Sequence, residues 1–195
     1  MRMPFGLRPK PLGPVWRVND KQEPLDEMYD RLIGRVGESA AKEQGLKGSR
    51  GRDMLAEDVK WLAITHKSFD HGRQGFNDRL AFLGKRILDL QTSLALLRHP
   101  PSPANPTTAT PPAPTLPPTY LHLSPPRIAA LAQTYGLDKV VRWKPKKAVN
   151  LKGSGLETVL AHTVCSVIGA LALQRGGEVA ARVVRERVLG PLGVK

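Results

Sequence analysis

His162 and Cys165 stand three residues apart in an apolar run, and at helical spacing the two share one face. Both side chains ligate zinc, but a closed site needs two further donors, which His66 or His71 would have to supply. Read instead as a nucleophile and its base, the pair would need an oxyanion hole and an orienting acid, and nothing in the sequence marks either. A lone cysteine and histidine on an apolar helix are more commonly packed core groups. Two isolated acids, Asp78 and Glu157, are expected to serve as salt-bridge partners for Arg79, Lys85 or Arg86. Asp89, four residues after Lys85, is a ready neutraliser of it.

The elements that must hold these groups read as helices. In residues 77–88, Leu80, Leu83, Ile87 and Leu88 fall at helical spacing and predict one buried face, with Arg79, Lys85 and Arg86 opposite. Gly84 interrupts this helix, and since an interior glycine costs about 1 kcal/mol against alanine, a close packing contact is expected there. The helix is predicted to continue to Leu97. Upstream, Pro24 opens a helix expected to run to about Lys42 with Leu25, Met28, Leu32 and Val36 on one face, and Asp26 and Glu27 in its first turn. A glycine-marked basic loop follows, then a helix from near Asp53 with Leu55, Val59, Leu62 and Ala63 inward. Residues 99–118 carry nine of the 18 prolines and no charged side chain, which predicts an insertion in a surface loop, of polyproline II or irregular conformation. Ser124 is placed to cap a helix beginning Pro125-Pro126, with Ile128, Leu131 and Ala132 inward and Gly136 ending it. Gly155 precedes the most apolar helix, Leu156 to about Leu173, and Gly176-Gly177 separates it from a last amphipathic helix, Glu178 to about Leu189. No strand and no internal repeat is predicted. The expected fold class is all-α.

The 195 residues suffice for one domain with a real core plus extensions. Thirty Lys and Arg against 17 Asp and Glu leave a formal charge of +13, which points to a polyanionic partner through release of condensed counterions. Aromatics make up only 5%, which argues against a single-strand binder built on rows of stacking platforms. One cysteine excludes an internal disulfide. No run reaches the roughly 18 to 20 consecutive apolar residues of a membrane span, and no membrane partner is expected. The first acid is Asp20, preceded by Arg2, Arg8, Lys10 and Arg17, while Pro4, Pro9, Pro11 and Pro14 prevent an amphipathic helix there. Residues 1–23 therefore read as a basic arm, either a targeting segment, an extended RNA-touching segment or an unstructured tail. A second basic stretch, Arg142, Lys144, Lys146, Lys147 and Lys152 with Trp143 among them, is expected to lie on phosphate backbone or to be a solvated charge run.

Thr65-His66-Lys67-Ser68 followed by Asn77-Asp78-Arg79-Leu80-Ala81-Phe82-Leu83-Gly84-Lys85 resembles the signature of the ribonuclease III family, which reads Asn-Glu-Arg-Leu-Glu-Phe-Leu-Gly-Asp. Glu157 through Gly169 is similar to a second run of that family, Glu-Ser-Ile-Leu-Ala-Asp-Thr-Val-Glu-Ala-Leu-Ile-Gly. The resemblance covers roughly residues 53–98 and 120–190, and implies a ribonuclease III-like domain over 24–195 with 99–118 inserted in it.

In that family four carboxylates on two helices hold Mg²⁺, which activates a water against a phosphodiester. Carried across, these positions fall on Ala81, Lys85, His162 and Cys165, so the resemblance implies a pseudo-enzyme with no metal and no cofactor. A lysine at such a position repels a unit charge about 4 Å away by roughly 4 kcal/mol at an effective dielectric near 20. The family's aromatic at Phe82 reaches across a two-fold interface into a partner's pocket, which implies pairing with a second copy or a second ribonuclease III-like protein. The family's enzymes usually continue into a double-stranded-RNA-binding domain of about 70 residues. About 20 residues follow Gly176-Gly177 here, so RNA contact is expected from the arm, the 144–152 loop and Arg182, Arg185 and Arg187. Together these features resemble the fungal mitochondrial large-subunit ribosomal proteins of this fold, implying ribosomal RNA and other large-subunit proteins as partners in the mitochondrial matrix. A non-catalytic dimer partner of an active ribonuclease III-like enzyme and a nuclease with substitute ligands are the rival expectations.

Overall fold

The computed structural model describes residues 16–34, 50–98 and 122–194. Arg2, Arg8 and Lys10, the expected helical residues 35–42 and the proline-rich segment lie outside them. The described residues are helical and contain no strand, only an isolated parallel bridge between Thr65 and Arg142. The all-α expectation holds.

At the centre lies α6, Leu156–Arg175, buried on almost every side from Val159 to Leu171. By length and mean hydropathy it matches a membrane span, but it is enclosed by its neighbours, as an all-round apolar core helix must be. Around it pack α2 (Glu57–Ile64), α3 (Asp78–Arg98), α4 (Pro125–Thr134) and α7 (Gly177–Val183). The first helix, α1 (Gln22–Ile33), packs on a 3₁₀ turn at Gly51–Asp53 and on the short α5 (Leu137–Val140).

Several boundaries differ from the sequence expectation for identifiable reasons. Helix α1 ends at Ile33 rather than near Lys42, because Gly34 takes φ +74° and the Arg187 guanidinium fills the space where a side chain would sit. The helix expected from Asp53 splits into the 3₁₀ turn and α2, with Arg175 donating to the carbonyls of Asp53 and Met54, both at 2.8 Å. Ser124 does sit at the N-cap of α4, but its carbonyl rather than its side chain accepts, from Arg127 and Ile128 N–H. The last helix begins at Gly177 and loosens into a π turn, Val184–Leu189.

The buried face of α3 is rotated from the predicted one. Leu80, Ala81, Gly84, Leu88, Thr92 and Leu96 face inward, whereas Leu83 and Ile87 are only half-buried. Helical spacing gives Lys60 no inward role, yet only 2% of it is exposed. Its ammonium pairs with Asp26 at 3.0 Å and with Glu57, and its carbonyl accepts from the Tyr29 hydroxyl at 2.9 Å. These bonds raise the Lys60 pKa although burial opposes the charge.

Candidate functional site

The two helices that matter meet without side chains between them. A Cβ on Gly84 would lie 1.8 Å from the carbonyl oxygen of Cys165, and one on Gly169 would lie 2.0 Å from that of Leu80. Each glycine is thus the hole for the other helix's backbone. This contact brings Ala81 and Lys85 of α3 opposite His162 and Cys165 of α6, and all four line one groove of about 390 Å³. The rest of its wall is mainly apolar, with Leu88, Leu123, Pro125, Ile128 and Ala161. Phe82 also lines it and remains 67% exposed, with the Arg86 guanidinium 5.3 Å from its ring centroid.

Of the charges in the groove, Asp78 is paired, Lys85 is of the wrong sign for a dication, and Asp89 is a carboxylate with no ion pair among the described residues. Asp78 pairs with His162 Nε2 at 3.0 Å and with Lys67 at 3.4 Å, rather than with Arg79, Lys85 or Arg86. Lys85 forms no ion pair with Asp89 among the described residues, although both line the groove. Burial pushes the Cys165 thiol up to about 11, reinforced by Asp89 and only partly offset by Lys85, so it stays protonated and is a poor nucleophile or ligand at neutral pH. Mg²⁺ requires oxygen donors. A groove whose one unpaired carboxylate, Asp89, stands among Ala81, Lys85, a neutral thiol and a histidine bound to Asp78 does not fit it. Among the described residues no group of three His, Cys, Asp or Glu is arranged to hold a metal.

His66 approaches His162 edge to face, ring centroids 5.9 Å apart, and Nδ1 lies 3.0 Å from the Ser68 hydroxyl. That hydroxyl also accepts from Lys144 N–H at 3.0 Å, tying the 65–68 turn to the basic loop. Burial lowers the His66 pKa, aided by His162 and Lys67 and opposed by Asp78. Because the folded value lies below the ordinary value near 6.5, the unfolded chain binds a proton that the fold resists. This site's contribution is fully present above about pH 6.5 and is lost as pH falls through the folded value. A denaturant series from pH 7.5 to 5 should therefore show a shallower loss of stability in His66→Gln than in the parent chain. Identical slopes would show that His66 is not the group responsible.

Residues 56–192 match a family model described as ribonuclease-III-like. The chain belongs to the ribonuclease III-like family. It is 38% identical to the large ribosomal subunit protein mL57 of Neurospora crassa, over 91% of this chain and 66% of that protein, so it spans just under two thirds of that relative's length. In fold it is similar to the nuclease domain of ribonuclease III from Campylobacter jejuni, with TM-score 0.58 and 19% identity over 89% of this chain and 97% of that one. A second structure of that domain, described for flexibility in the region involved in dimer formation, gives 0.51 and 21% over 79% and 97%.

In this ribonuclease III-like domain the basic residues singled out by sequence are not equivalent. Arg142 is half-buried: its guanidinium sits 4.3 Å from the Phe69 ring centroid and 5.4 Å from that of Trp61, and 3.9 Å from Asp20. The alternation of basic residues around it gives no sign of this contact, nor of its backbone bridge to Thr65. Trp143, 5% exposed, belongs to the core and offers no stacking surface. Lys146, Lys147 and Lys152 do face solvent, and Lys144 is half-buried. The loop that carries them is held in shape by Ser154, whose hydroxyl accepts from Lys147 N–H at 2.9 Å and has the Asn150 carbonyl within donating distance at 2.8 Å, and by Asn150, which accepts from Gly153 N–H at 2.7 Å. Arg17 is exposed ahead of α1. Arg185 is paired with Glu178 at 3.0 Å and donates to Gln91, and Arg187 packs at Gly34, so both carry structural duties; Arg182 is half-buried.

Proposed function

We propose that this chain is a non-catalytic structural component of the mitochondrial ribosomal large subunit, held to ribosomal RNA by its lysines and arginines and to neighbouring proteins through its ribonuclease III-like fold. The observation that carries the non-catalytic reading is the groove where α3 crosses α6. The positions that the family resemblance assigns to four metal-binding acids are Ala81, Lys85, His162 and Cys165, and they converge there as a set unsuited to Mg²⁺. The ribosomal reading rests on the likeness to the Neurospora crassa large-subunit protein, and the +13 charge supports it. The mitochondrial address rests on the resemblance to fungal mitochondrial ribosomal proteins and on the basic, acid-free start before Asp20.

RNA is contacted through Arg2, Arg8, Lys10 and Arg17 of the arm and through Lys144, Lys146, Lys147 and Lys152 of the loop, while Arg142 supports the loop by packing against Phe69. Lysines on a braced loop neutralise phosphates without reading bases. Replacing Lys146, Lys147 and Lys152 with alanine should weaken binding to ribosomal RNA fragments at every sequence. It should also reduce the slope of log K against log salt by roughly 0.7–0.9 for each phosphate no longer neutralised. A slope equal to that of the parent chain would remove the loop from the RNA surface.

A second reading is favoured by Phe82: a large exposed aromatic beside an apolar groove fits pairing with a second ribonuclease III-like protein. Within a ribosome such pairing is compatible with the structural role. Outside it, the chain would be the non-catalytic partner of an active enzyme, and RNA cleavage that appears only when the two are mixed would select that reading. Mg²⁺- or Mn²⁺-dependent cleavage by the pure chain would overturn both.

A further inference from the structure

We infer that the outer face of α3 is a docking site for an amphipathic α-helix of a partner protein that carries acidic residues on both flanks of its apolar stripe. Leu83, Ile87, Leu90, Leu94 and Leu97 follow one another at intervals of four, three, four and three residues, the spacing of a coiled-coil seam. Leu90 is 57% exposed, Leu94 37% and Leu97 58%, and no described residue covers them. At a rise of 1.5 Å per residue the stripe is about 21 Å long, the reach of a helix of roughly 15 residues. A groove of about 260 Å³, lined by Leu94, Ala95, Leu189 and Val194 among others, runs beside it and can receive the partner's side chains. The stripe lies about a quarter to a third of a turn around the helix from Phe82, so its leucines form a second surface that adjoins the pairing surface at Arg86, whose guanidinium lies 5.3 Å from the Phe82 ring centroid.

Charge identifies the occupant. Arg79 and Arg86 flank the stripe on one side and Arg98 on the other, all exposed and none in an ion pair among the described residues. A second copy of α3 laid on the stripe would set these arginines against their equals, because the stripe itself carries no acid and Glu186 lies across the flanking groove beside Arg98 and Arg185. RNA would meet the arginines but leave the leucines in water. A helix with leucines in the seam and glutamates beside it satisfies both.

The test uses the full chain and two designed 21-residue helical peptides with the same 3–4 leucine spacing, one with glutamate flanks and one with lysine flanks. Fluorescence anisotropy should show the glutamate peptide binding, with the lysine peptide at least roughly tenfold weaker. Leu90→Ser with Leu94→Ser should reduce binding of the glutamate peptide by about tenfold or more. Circular dichroism should report an unchanged melt, since both side chains are exposed. Arg79→Glu with Arg98→Glu should invert the preference. Failure of the glutamate peptide to bind, equal binding of both peptides, or indifference to the leucine substitutions would overturn the proposal. So would thiol labelling of Leu94→Cys at the rate of a buried group in the isolated monomer, which would place the chain's own residues over the stripe. Cys165 is buried and does not confound that readout. Binding to anionic vesicles that disappears with Leu90→Ser would assign the face to a membrane surface instead, and would overturn it equally.

Discussion

Gly84→Ala is expected to destabilise the domain by on the order of 3 kcal/mol, the upper end of the usual range for overpacking. Alanine is the better helix former by about 1 kcal/mol, so a substitution judged by propensity alone would stabilise α3. The new methyl, however, would fall 1.8 Å from the Cys165 carbonyl oxygen and 2.7 Å from the Gly169 nitrogen. Both are backbone atoms, which no rotamer change can move away. The helices must separate, and the core around Leu80, Leu88, Val164 and Ile168 loses its packing with them. For a domain of this size the loss corresponds to a fall of roughly 6–12 °C in Tm. Gly177→Ala is the control, since a Cβ there meets nothing within 4 Å, and it should melt at or slightly above the parent temperature. A Gly84→Ala chain that melts with the parent would show that α3 and α6 do not touch at this point.

Phe82→Ala is expected to leave the isolated chain's stability within about 0.5 kcal/mol, because most of the ring is already in water, and to abolish or sharply weaken pairing. An aromatic anchor of this kind contributes about 2 kcal/mol or more at an interface, so the dissociation constant should rise by roughly 30-fold or more. Sedimentation velocity over a concentration series, with the chain alone and mixed with a ribonuclease III-like partner, reads this directly. Pairing at the parent affinity in the variant would place the interface elsewhere. A large drop in Tm would instead make Phe82 a core residue, which its exposure denies.

The fold is legible where an all-round apolar run is bounded by glycines, but not where a single glycine ends an amphipathic helix, as Gly34 ends α1. Leu156 to the Gly176-Gly177 break reads nearly to the residue, since an all-round apolar run bounded by glycines admits few alternatives. The close contact at Gly84 is legible too, because an interior glycine in a strong helix needs a reason. What sequence periodicity does not supply is rotation. Leu83 and Ile87 are as apolar as Leu80 and Leu88, and only the glycine contact decides that Ala81, Gly84 and Leu88 face α6. The same limit applies to charges. Arg142 and Lys60 look like ordinary solvated cations in the sequence, yet one lies between Phe69 and Trp61 and the other bridges Asp26 and Glu57. Both have partners far away along the chain, which no local pattern reveals. The candidate groove is legible only through family resemblance, because nothing about Ala81 or Cys165 taken singly suggests a site.

Sedimentation is the sharpest check on whether the chain works as a fixed part of a large ribosomal subunit. Mitochondrial lysate from cells making the tagged chain is resolved on a sucrose gradient, and the tag, large-subunit RNA and large-subunit proteins are followed in every fraction. The chain should co-migrate with the large subunit, and shift with it when subunits join. Recovery in small, ribosome-free complexes would refute the structural role.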